Sequence, residues 1–300
     1  MSAIFGIFGR RAAPVPCTCL APMARDLASR APDGTRVVTD GPVGLGNGQN
    51  LTTPEAVKDQ QPFRHGPTGC TITADIRLDN RGELLEALGC RPDGPVVSDA
   101  DLALRAWLKW GRACTEHLLG DFALAIWDPR QRAIFAARDH MGMKPFAYFA
   151  SDEWFAFGST PLSVVAAPMA PREIYEPRIG DFLLNSETAL EGIDRECTFW
   201  AGVKRLPPGH SLLANSDNVE LCSYWKPTPL SHAGKKTDGD FEAHFREVFD
   251  ESVKCRLRTD GAAGIMLSGG LDSGSVATTA ASHWVGGWPL KTFSAVRDDA

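Results

Sequence analysis

The sequence lacks an apolar run long enough to cross a membrane, and its first residues do not show the charged-then-apolar pattern of a signal peptide. It also lacks a basic cluster. Lys235-Lys236 is closely followed by Asp238 and Asp240, which indicates a solvated linker, and the net charge is −6. We therefore expect a cytoplasmic protein that binds neither a membrane nor nucleic acid.

Cysteine pairs with the spacing of a metal site or a disulfide framework are also scarce. Of the eight cysteines, only Cys17 and Cys19 stand close together, and no second pair or histidine cluster has the spacing of zinc ligands. This scatter favours free, buried thiols in a reducing compartment.

What the sequence does contain is a strand–loop–helix pattern near its C-terminal end. Ile265, Met266 and Leu267 predict a buried strand, residues 268–273 (Ser-Gly-Gly-Leu-Asp-Ser) predict a turn, and a helix is expected over Val276–Ala281. A strand that leads through a Ser/Gly loop into a helix is suited to anion binding, because free backbone N–H groups and the helix dipole meet there.

The residue types in this loop favour a polyphosphate. Gly269 and Gly270 allow a phosphate to approach the backbone, and Ser268 and Ser273 supply hydroxyl donors. Asp272 would repel a bare phosphate, so its presence suggests Mg²⁺ between carboxylate and polyphosphate. An ordinary strand–turn–helix corner would need neither the second serine nor the aspartate.

This loop resembles the SGGxDS pyrophosphate loop of ATP pyrophosphatases, which cleave ATP between the α and β phosphates. The resemblance implies adenylation of a carboxylate, release of pyrophosphate, and displacement of AMP by an amine. It also places Leu267 and either Ala295 or Val296, at the end of a second strand over 290–296, in an adenine pocket. A plain core role for these three residues remains the alternative.

Earlier in the chain, apolar and alternating segments predict a strand-rich domain with a few helices, hence a mixed α/β or α+β fold. Strands are expected over residues 1–9, 44–46, 70–74, 122–127, 133–137, 146–149 and 154–158, and a hairpin is expected over 211–214 and 219–222. Helices are expected over 21–29, 81–88, 99–110 and 241–257, with Ser98 as the N-cap of the third. The last helix has an apolar face of Phe241, Phe245, Val248 and Phe249.

An ordered set of motifs in these segments resembles the class B asparagine synthetase family. The set comprises Met-Ser-Ala-Ile-Phe-Gly at the start, followed by Arg30-Ala-Pro-Asp-Gly34, Gln61-Pro-Phe63, Ser98-Asp-Ala-Asp101, residues 119–128, Arg138–Phe146, Leu206-Pro-Pro-Gly209 and Tyr224-Trp225. The resemblance implies an α/β protein with an N-terminal αββα Ntn-hydrolase-like sandwich over residues 1–205. A hairpin and linker over 206–240 then lead to the start of a Rossmann-like ATP-pyrophosphatase (adenine nucleotide α-hydrolase-like) domain over 241–300.

The sequence departs from this family where glutamine would be hydrolysed. Ser2 stands in place of the nucleophilic cysteine, and Gln49 in place of the arginine that grips the glutamine carboxylate. Asp75-Ile-Arg77 stands in place of an Asn-Gly-Glu run. The negative charge of Asp75 would therefore face the developing oxyanion, and the positive charge of Arg77 would repel the substrate ammonium. Asp99 alone matches its counterpart. We expect a degenerate glutaminase domain without catalytic residues, although an active serine variant is the alternative.

Such a domain could serve to pack against the synthetase domain or to dock a peptide substrate. Residues 51–56, 60–63, 74–81 and 139–146 resemble a subgroup with degenerate glutaminase domains, of which many members are lasso-peptide cyclases. That subgroup implies an AMP-forming macrolactam cyclase using ATP and Mg²⁺, with a precursor peptide or small carboxylate as substrate and leader-binding and protease proteins as partners. Asparagine synthase, glutamine-hydrolysing or ammonia-dependent, and a non-catalytic scaffold are the alternatives.

The second domain is expected to be incomplete. A strand, a helix and a parallel strand open a doubly wound sheet, and two parallel strands alone leave an open edge. We therefore predict that these 300 residues by themselves bind ATP weakly and catalyse nothing.

Overall fold

A computed structural model describes residues 2–91, 94–184, 196–229 and 237–296. Met1 and the predicted linker pair Lys235-Lys236 lie outside these ranges. The chain divides into two compact units. Unit 1 comprises Met1–Leu51 and Lys58–Lys226, and unit 2 comprises Thr52–Val57 and Pro227–Ala300. The domain limits expected from the resemblance stay predictions.

Unit 1 contains two six-stranded antiparallel sheets and five α-helices in its described residues. Its strands are β1 (Ala3–Gly9), β2 (Thr35–Asp40), β3 (Val43–Gly48), β4 (Phe63–Arg64), β5 (Thr71–Leu78), β6 (Gly120–Asp128), β7 (Ala133–Arg138), β8 (Ala147–Ala150), β9 (Trp154–Gly158), β10 (Val203–Arg205), β11 (His210–Ala214) and β12 (Val219–Ser223). Its helices are α1 (Cys17–Asp26), α2 (Arg81–Ala87), α3 (Asp99–Trp110), α4 (Pro161–Val165) and α5 (Glu176–Leu184).

The two sheets stack with helices on their outer faces. The first sheet has the order β10-β8-β9-β1-β3-β2 and the second β12-β11-β7-β6-β5-β4. A core between the sheets joins Phe8 and Phe157 of the first to Trp127 of the second. A second core packs α2 and α3 on the outer face of the second sheet, and a third packs α1 and α4 on the first. The predicted αββα sandwich is thereby confirmed.

Burial on both faces explains why the central strands have continuous apolar runs. Along β6, Phe122 and Leu124 enter the core beneath α3, whereas Ala123 and Trp127 enter the core between the sheets. No polar face remains on such a strand, so strict alternation is absent. The predicted hairpin is confirmed as β11 and β12, and β11 also pairs with β7.

Several expected boundaries were wrong. Helix α1 begins at Cys17 rather than Ala21, so Cys17 and Cys19 lie in a helix. Pro22 is the sixth of its ten residues and removes one backbone hydrogen bond from the helix interior. The strands β2, β4 and β10 and the helices α4 and α5 were not predicted. Strands β2, β4 and β10 lie at sheet edges and are short or exposed, so the buried periodicity that marks a strand is weak there.

Unit 2 is built from helix α6 (Asp238–Arg256), strand β13 (Gly264–Met266), helix α7 (Leu271–His283) and strand β14 (Lys291–Phe293). The two strands are parallel, with Ile265 opposite Thr292. Segment Thr52–Val57 joins this unit through an ion pair between Glu55 and Arg258, with 2.6 Å between Oε2 and Nη1.

Three expectations for unit 2 were wrong. The strand predicted as buried ends at Met266, whose side chain is 74% exposed because only β14 pairs with β13 in the described ranges. Strand β14 ends at Phe293, before Ala295 and Val296, and α7 starts five residues before Val276. Of the apolar residues predicted along α6, Phe245 is 67% exposed and Phe249 is half-buried.

All eight cysteines are free, as expected. Only Cys70 and Cys114 are buried, and Cys17 and Cys222 are exposed, so the prediction that the thiols are buried was wrong for most of them. None of the helices in the described ranges has the length and apolar character that a membrane crossing requires.

Candidate functional site

The first candidate site lies where β1 begins beside β3 and β5. The Ser2 hydroxyl accepts a hydrogen bond from the Asn50 N–H (3.1 Å) and donates to the Asn50 carbonyl (3.3 Å). The neighbouring Gln49 side chain donates through Nε2 to the Asp59 carbonyl at 2.9 Å. The Ser2 hydroxyl and the Gln49 amide are therefore both engaged by main-chain groups.

Asp75 of β5 lies beside Ser2 and is buried. Its Oδ1 is 2.9 Å from Lys144 Nζ, whereas its Oδ2 has no hydrogen-bond partner in the described structure. Burial raises the pKa of Asp75, although the Lys144 ammonium and the main-chain N–H of Ser2 act in the opposite direction. The main-chain N–H of Ser2 is thus near the Asp75 carboxylate, but Oδ2 accepts no hydrogen bond in the described structure.

The loop after β7 holds Lys144 at this position. The Asp139 carboxylate, which is buried, accepts from the N–H groups of Met141 (3.1 Å), Met143 (2.8 Å) and Lys144 (2.9 Å). The Arg138 guanidinium donates to the carbonyls of Gly142 (2.7 Å) and Lys144 (2.8 Å) from the other side. These contacts explain the charged Arg-Asp pair of the motif, because they fold the loop that carries Lys144.

Asp99 is a second acidic group with partners near the end of β5. Asp99 accepts from the Leu78 N–H at 2.9 Å and forms a short ion pair with Arg81. Arg77 lies 3.6 Å from Asp79, between Nε and Oδ1. Asp99, the one residue that matches the family pattern, is thus neutralised by an arginine of its own chain.

Asp59 is a functional candidate that the sequence reasoning missed. Its carboxylate accepts from Gln61 Nε2 at 3.0 Å. Burial raises its pKa to about 6, against hydrogen bonds from Ser98 and Gln61, while Asp101 and Asp99 raise it further. Nothing in the local sequence around Asp59 indicates this burial, which arises where the segment before β4 packs beside α3.

The second candidate site is the loop between β13 and α7. The Leu267 N–H donates to the Phe293 carbonyl at 2.8 Å, and the Ser294 hydroxyl donates to the Leu267 carbonyl at 2.7 Å. Gly269 has a φ of +84°, which favours glycine, and Gly270 is the N-cap of α7 without a side-chain cap. The first amides of α7 are therefore not capped by a side chain.

The structure brings the two predicted hydroxyls together at this helix start. Ser268 Oγ and Ser273 Oγ are 3.0 Å apart, the Ser268 N–H donates to Ser273 Oγ (3.2 Å), and that hydroxyl donates to the Gly270 carbonyl (3.3 Å). An added Cβ at Gly269 would meet no heavy atom within 4 Å. The loop is thus open and presents hydroxyl and amide donors, which suits an anionic ligand.

Asp272 lies exposed in the first turn of α7. Within the described residues no group of three or more His, Cys, Asp or Glu could hold a metal ion. Mg²⁺ commonly binds through one or two carboxylates and substrate phosphates, so a single aspartate beside a phosphate loop fits Mg²⁺ that arrives with a nucleotide.

The adenine pocket stays a prediction. Val296 is 82% exposed. A cavity of about 560 Å³ between α6, β13 and α7 is lined by residues such as Val253, Ile265 and Val276, and does not include Leu267, Ala295 or Val296. A cavity of about 380 Å³ beside residues 283–288 does not include them either.

Comparison with known proteins agrees with this geometry. Residues 1–225 match the family described as the glutamine amidotransferase domain, and residues 244–299 match the family described as asparagine synthase. The chain belongs to the asparagine synthetase family.

Two curated proteins are similar to most of this chain. Asparagine synthetase (glutamine-hydrolyzing) 3 of Bacillus subtilis (strain 168) is 31% identical over 91% of this chain and 44% of that protein. Amidase chyE of Penicillium rubens is 26% identical over 83% of this chain and 36% of that protein. The chain spans less than half the length of these curated relatives.

A solved structure supports the fold of this family member. A glutamine phosphoribosylpyrophosphate amidotransferase from B. subtilis, complexed with ADP and GMP, aligns with a TM-score of 0.54 over 97% of this chain and 65% of that chain. The sequence identity is 12%, so this likeness concerns the fold alone.

Proposed function

We propose that this chain is part of an ATP-dependent amide-forming ligase that adenylates a carboxylate, releases pyrophosphate and AMP, and takes its amine from a source other than glutamine. The observation that carries the proposal is the buried ion pair between Asp75 and Lys144 beside Ser2. A glutaminase must stabilise an oxyanion near its nucleophile, and a carboxylate at that place opposes the developing charge.

The surrounding contacts support a glutaminase-like domain that no longer hydrolyses glutamine. Arg81 already neutralises Asp99, so this carboxylate is not available to a substrate ammonium. The Gln49 side chain is neutral and donates to a main-chain carbonyl, so it cannot replace a bidentate arginine on a substrate carboxylate. The domain thus lacks both the arginine that would bind the glutamine carboxylate and the neutral group that would stabilise the oxyanion.

The loop at residues 268–273 supports the adenylation half of the proposal. The hydroxyls of Ser268 and Ser273 and the uncapped amides of α7 would bind and orient the β and γ phosphates of ATP, and Asp272 is the side chain that would hold Mg²⁺. The Mg²⁺ ion would neutralise part of the phosphate charge. Because the loop would hold the leaving pyrophosphate in place, it would also orient the α phosphate toward the attacking carboxylate.

Within this class, we propose a macrolactam-forming peptide cyclase. The loss of glutamine-binding partners favours an amine that the substrate itself carries, such as a peptide N-terminus, and an Asp or Glu side chain as the adenylated group. Leader-binding and protease proteins would then be its partners. Asparagine synthesis is the second candidate, and the identity to an asparagine synthetase favours it.

One experiment separates these candidates. The complete protein that contains this chain is incubated with ATP, Mg²⁺ and a candidate precursor peptide encoded near its gene, and the peptide mass is measured. Loss of one water with release of pyrophosphate supports the cyclase. Formation of asparagine from aspartate, with glutamine or ammonia, would replace it by the synthase. Absence of pyrophosphate release with any carboxylate would favour a scaffold.

A further inference from the structure

The main-chain nitrogen of Ser2 occupies a fixed position beside Asp75. Two hydrogen bonds tie the Ser2 hydroxyl to the main chain of Asn50, at 3.1 and 3.3 Å. The next residue, Ala3, is already in β1 and lies opposite Gly48 of β3. The main-chain N–H of Ser2 is near the Asp75 carboxylate and lowers its pKa, which favours the ionised form. The direction of this nitrogen is therefore set by the sheet and by Asn50.

The charge of Asp75 is only partly balanced. Lys144 Nζ lies 2.9 Å from Oδ1, but Oδ2 is buried and receives no hydrogen bond from the described residues. Burial raises the pKa of this carboxyl in spite of the lysine. A buried carboxylate oxygen without a donor is costly, so a second positively charged donor near Oδ2 would be stabilising.

We propose that the α-ammonium group of Ser2, present when Ser2 is the first residue of the chain, completes a buried ion triad with Asp75 and Lys144. The group forms by hydrolysis of the peptide bond before Ser2: the C–N bond breaks, water supplies the hydroxyl of the departing carboxylic acid, and the freed amine takes up a proton. A cellular aminopeptidase is the class of enzyme that catalyses this step.

The triad has a chemical consequence for Ser2. An ammonium group has no lone pair, so it cannot accept the proton of the Ser2 hydroxyl as a general base. The amine that would activate a terminal nucleophile instead serves as a structural cation. This inference deepens the proposed loss of glutamine hydrolysis and rests on it.

The test measures the pKa of the Ser2 amine in the complete protein, prepared so that cleavage of a fusion leaves Ser2 first. The rate of acetic anhydride labelling of the amine is followed against pH by mass spectrometry. The native amine should have a pKa at least one unit above the usual value of about 7.7–8.0, so labelling near pH 8 should be at least about four- to fivefold slower than in urea. Asp75→Asn should abolish the difference, and the exposed control Asp152→Asn should retain it.

A second measurement makes the result independent of labelling. The urea midpoint is compared for chains that begin at Ser2 and chains that carry one additional residue before it, each with and without Asp75→Asn. The substitution should lower the midpoint more in the chain that begins at Ser2. An ordinary amine pKa, or equal effects in both chains, would overturn the triad. Formation of glutamate from glutamine would instead overturn the proposed function, whatever the amine titration shows.

Discussion

Lys144 and Asp75, which are 69 residues apart in the chain, form an ion pair of 2.9 Å with side-chain exposures of only 14% and 6%. The pair joins the loop after β7 to strand β5 at the place where the family resemblance puts glutamine chemistry. The Asp75 carboxylate, held by Lys144, stands there in place of the neutral asparagine that the resemblance implies.

The first prediction concerns the stability of this pair. Lys144→Met leaves Asp75 buried without its cation and should lower the free energy of unfolding by about 3–5 kcal/mol. The double variant Asp75→Leu with Lys144→Met removes both charges and should recover much of this loss. Urea denaturation measures both. The exposed pair Arg112–Glu220, also at 2.9 Å, is the control, and Arg112→Met should cost less than about 1 kcal/mol. Equal costs for the two single variants would contradict the assignment.

The second prediction concerns Asp59 and pH. Its pKa in the folded protein is raised to about 6, above the ordinary value of 3.8, because the half-buried carboxylate is partly desolvated. Between these values the folded state holds more protons than the unfolded state, so raising the pH lowers stability. The stabilisation that comes from the raised pKa of Asp59 is fully present below about pH 4 and is lost as the pH rises through about 6.

Asp59→Asn should therefore be more stable than the parent chain at pH 7.5, by about 2–3 kcal/mol at most, and equal to it near pH 4. Chemical denaturation at a series of pH values checks this. The exposed substitution Asp152→Asn should give a difference that does not change with pH. A constant difference for Asp59→Asn as well would show that the carboxyl is not titrating in this range.

The third prediction concerns thiol reactivity. Burial raises the pKa of Cys114 to about 12, and burial also raises the pKa of Cys70. The reactive thiolate is therefore suppressed at both positions. Iodoacetamide should label the exposed Cys17 and Cys222 first and should reach Cys70 and Cys114 only after unfolding. Peptide mass spectrometry reads the order, and early labelling of Cys114 in the native protein would refute it.

The fourth prediction compares two glycines of the ATP loop region. Gly269 has a φ of +84° with open space around it, so Gly269→Ala should cost about 1–2 kcal/mol through backbone strain rather than collision. Gly274 lies inside α7, and a Cβ there would also meet nothing within 4 Å. Gly274→Ala should therefore be neutral or stabilising by up to about 1 kcal/mol.

Denaturation of both variants, with pyrophosphate binding to the complete protein as a second readout, tests this pair. Pyrophosphate affinity should fall for Gly269→Ala and stay close to the parent value for Gly274→Ala. Loss of affinity in both variants would indicate that the first turn of α7 tolerates no side chain, rather than that the turn at Gly269 matters.

Elements with strong local signals were predictable. The helix over Asp99–Trp110 and its Ser98 cap, which accepts from the Asp101 N–H, are confirmed with their predicted bounds. Strand Trp154–Gly158 is confirmed as well. Edge strands such as Thr35–Asp40 were missed because an edge strand is specified by its neighbour rather than by its own pattern.

The sequence by itself determined the strand-rich mixed α/β character, through local periodicity, and the family with its αββα sandwich, through an ordered set of short motifs. It also located the Ser/Gly loop at residues 268–273, because that signal lies within one turn. Only the tertiary structure decided that Lys144 neutralises Asp75, that Arg81 neutralises Asp99 and that Asp59 is half-buried beside α3. The partner and solvation of a charge depend on which strands and loops meet in space, and no local pattern encodes that meeting.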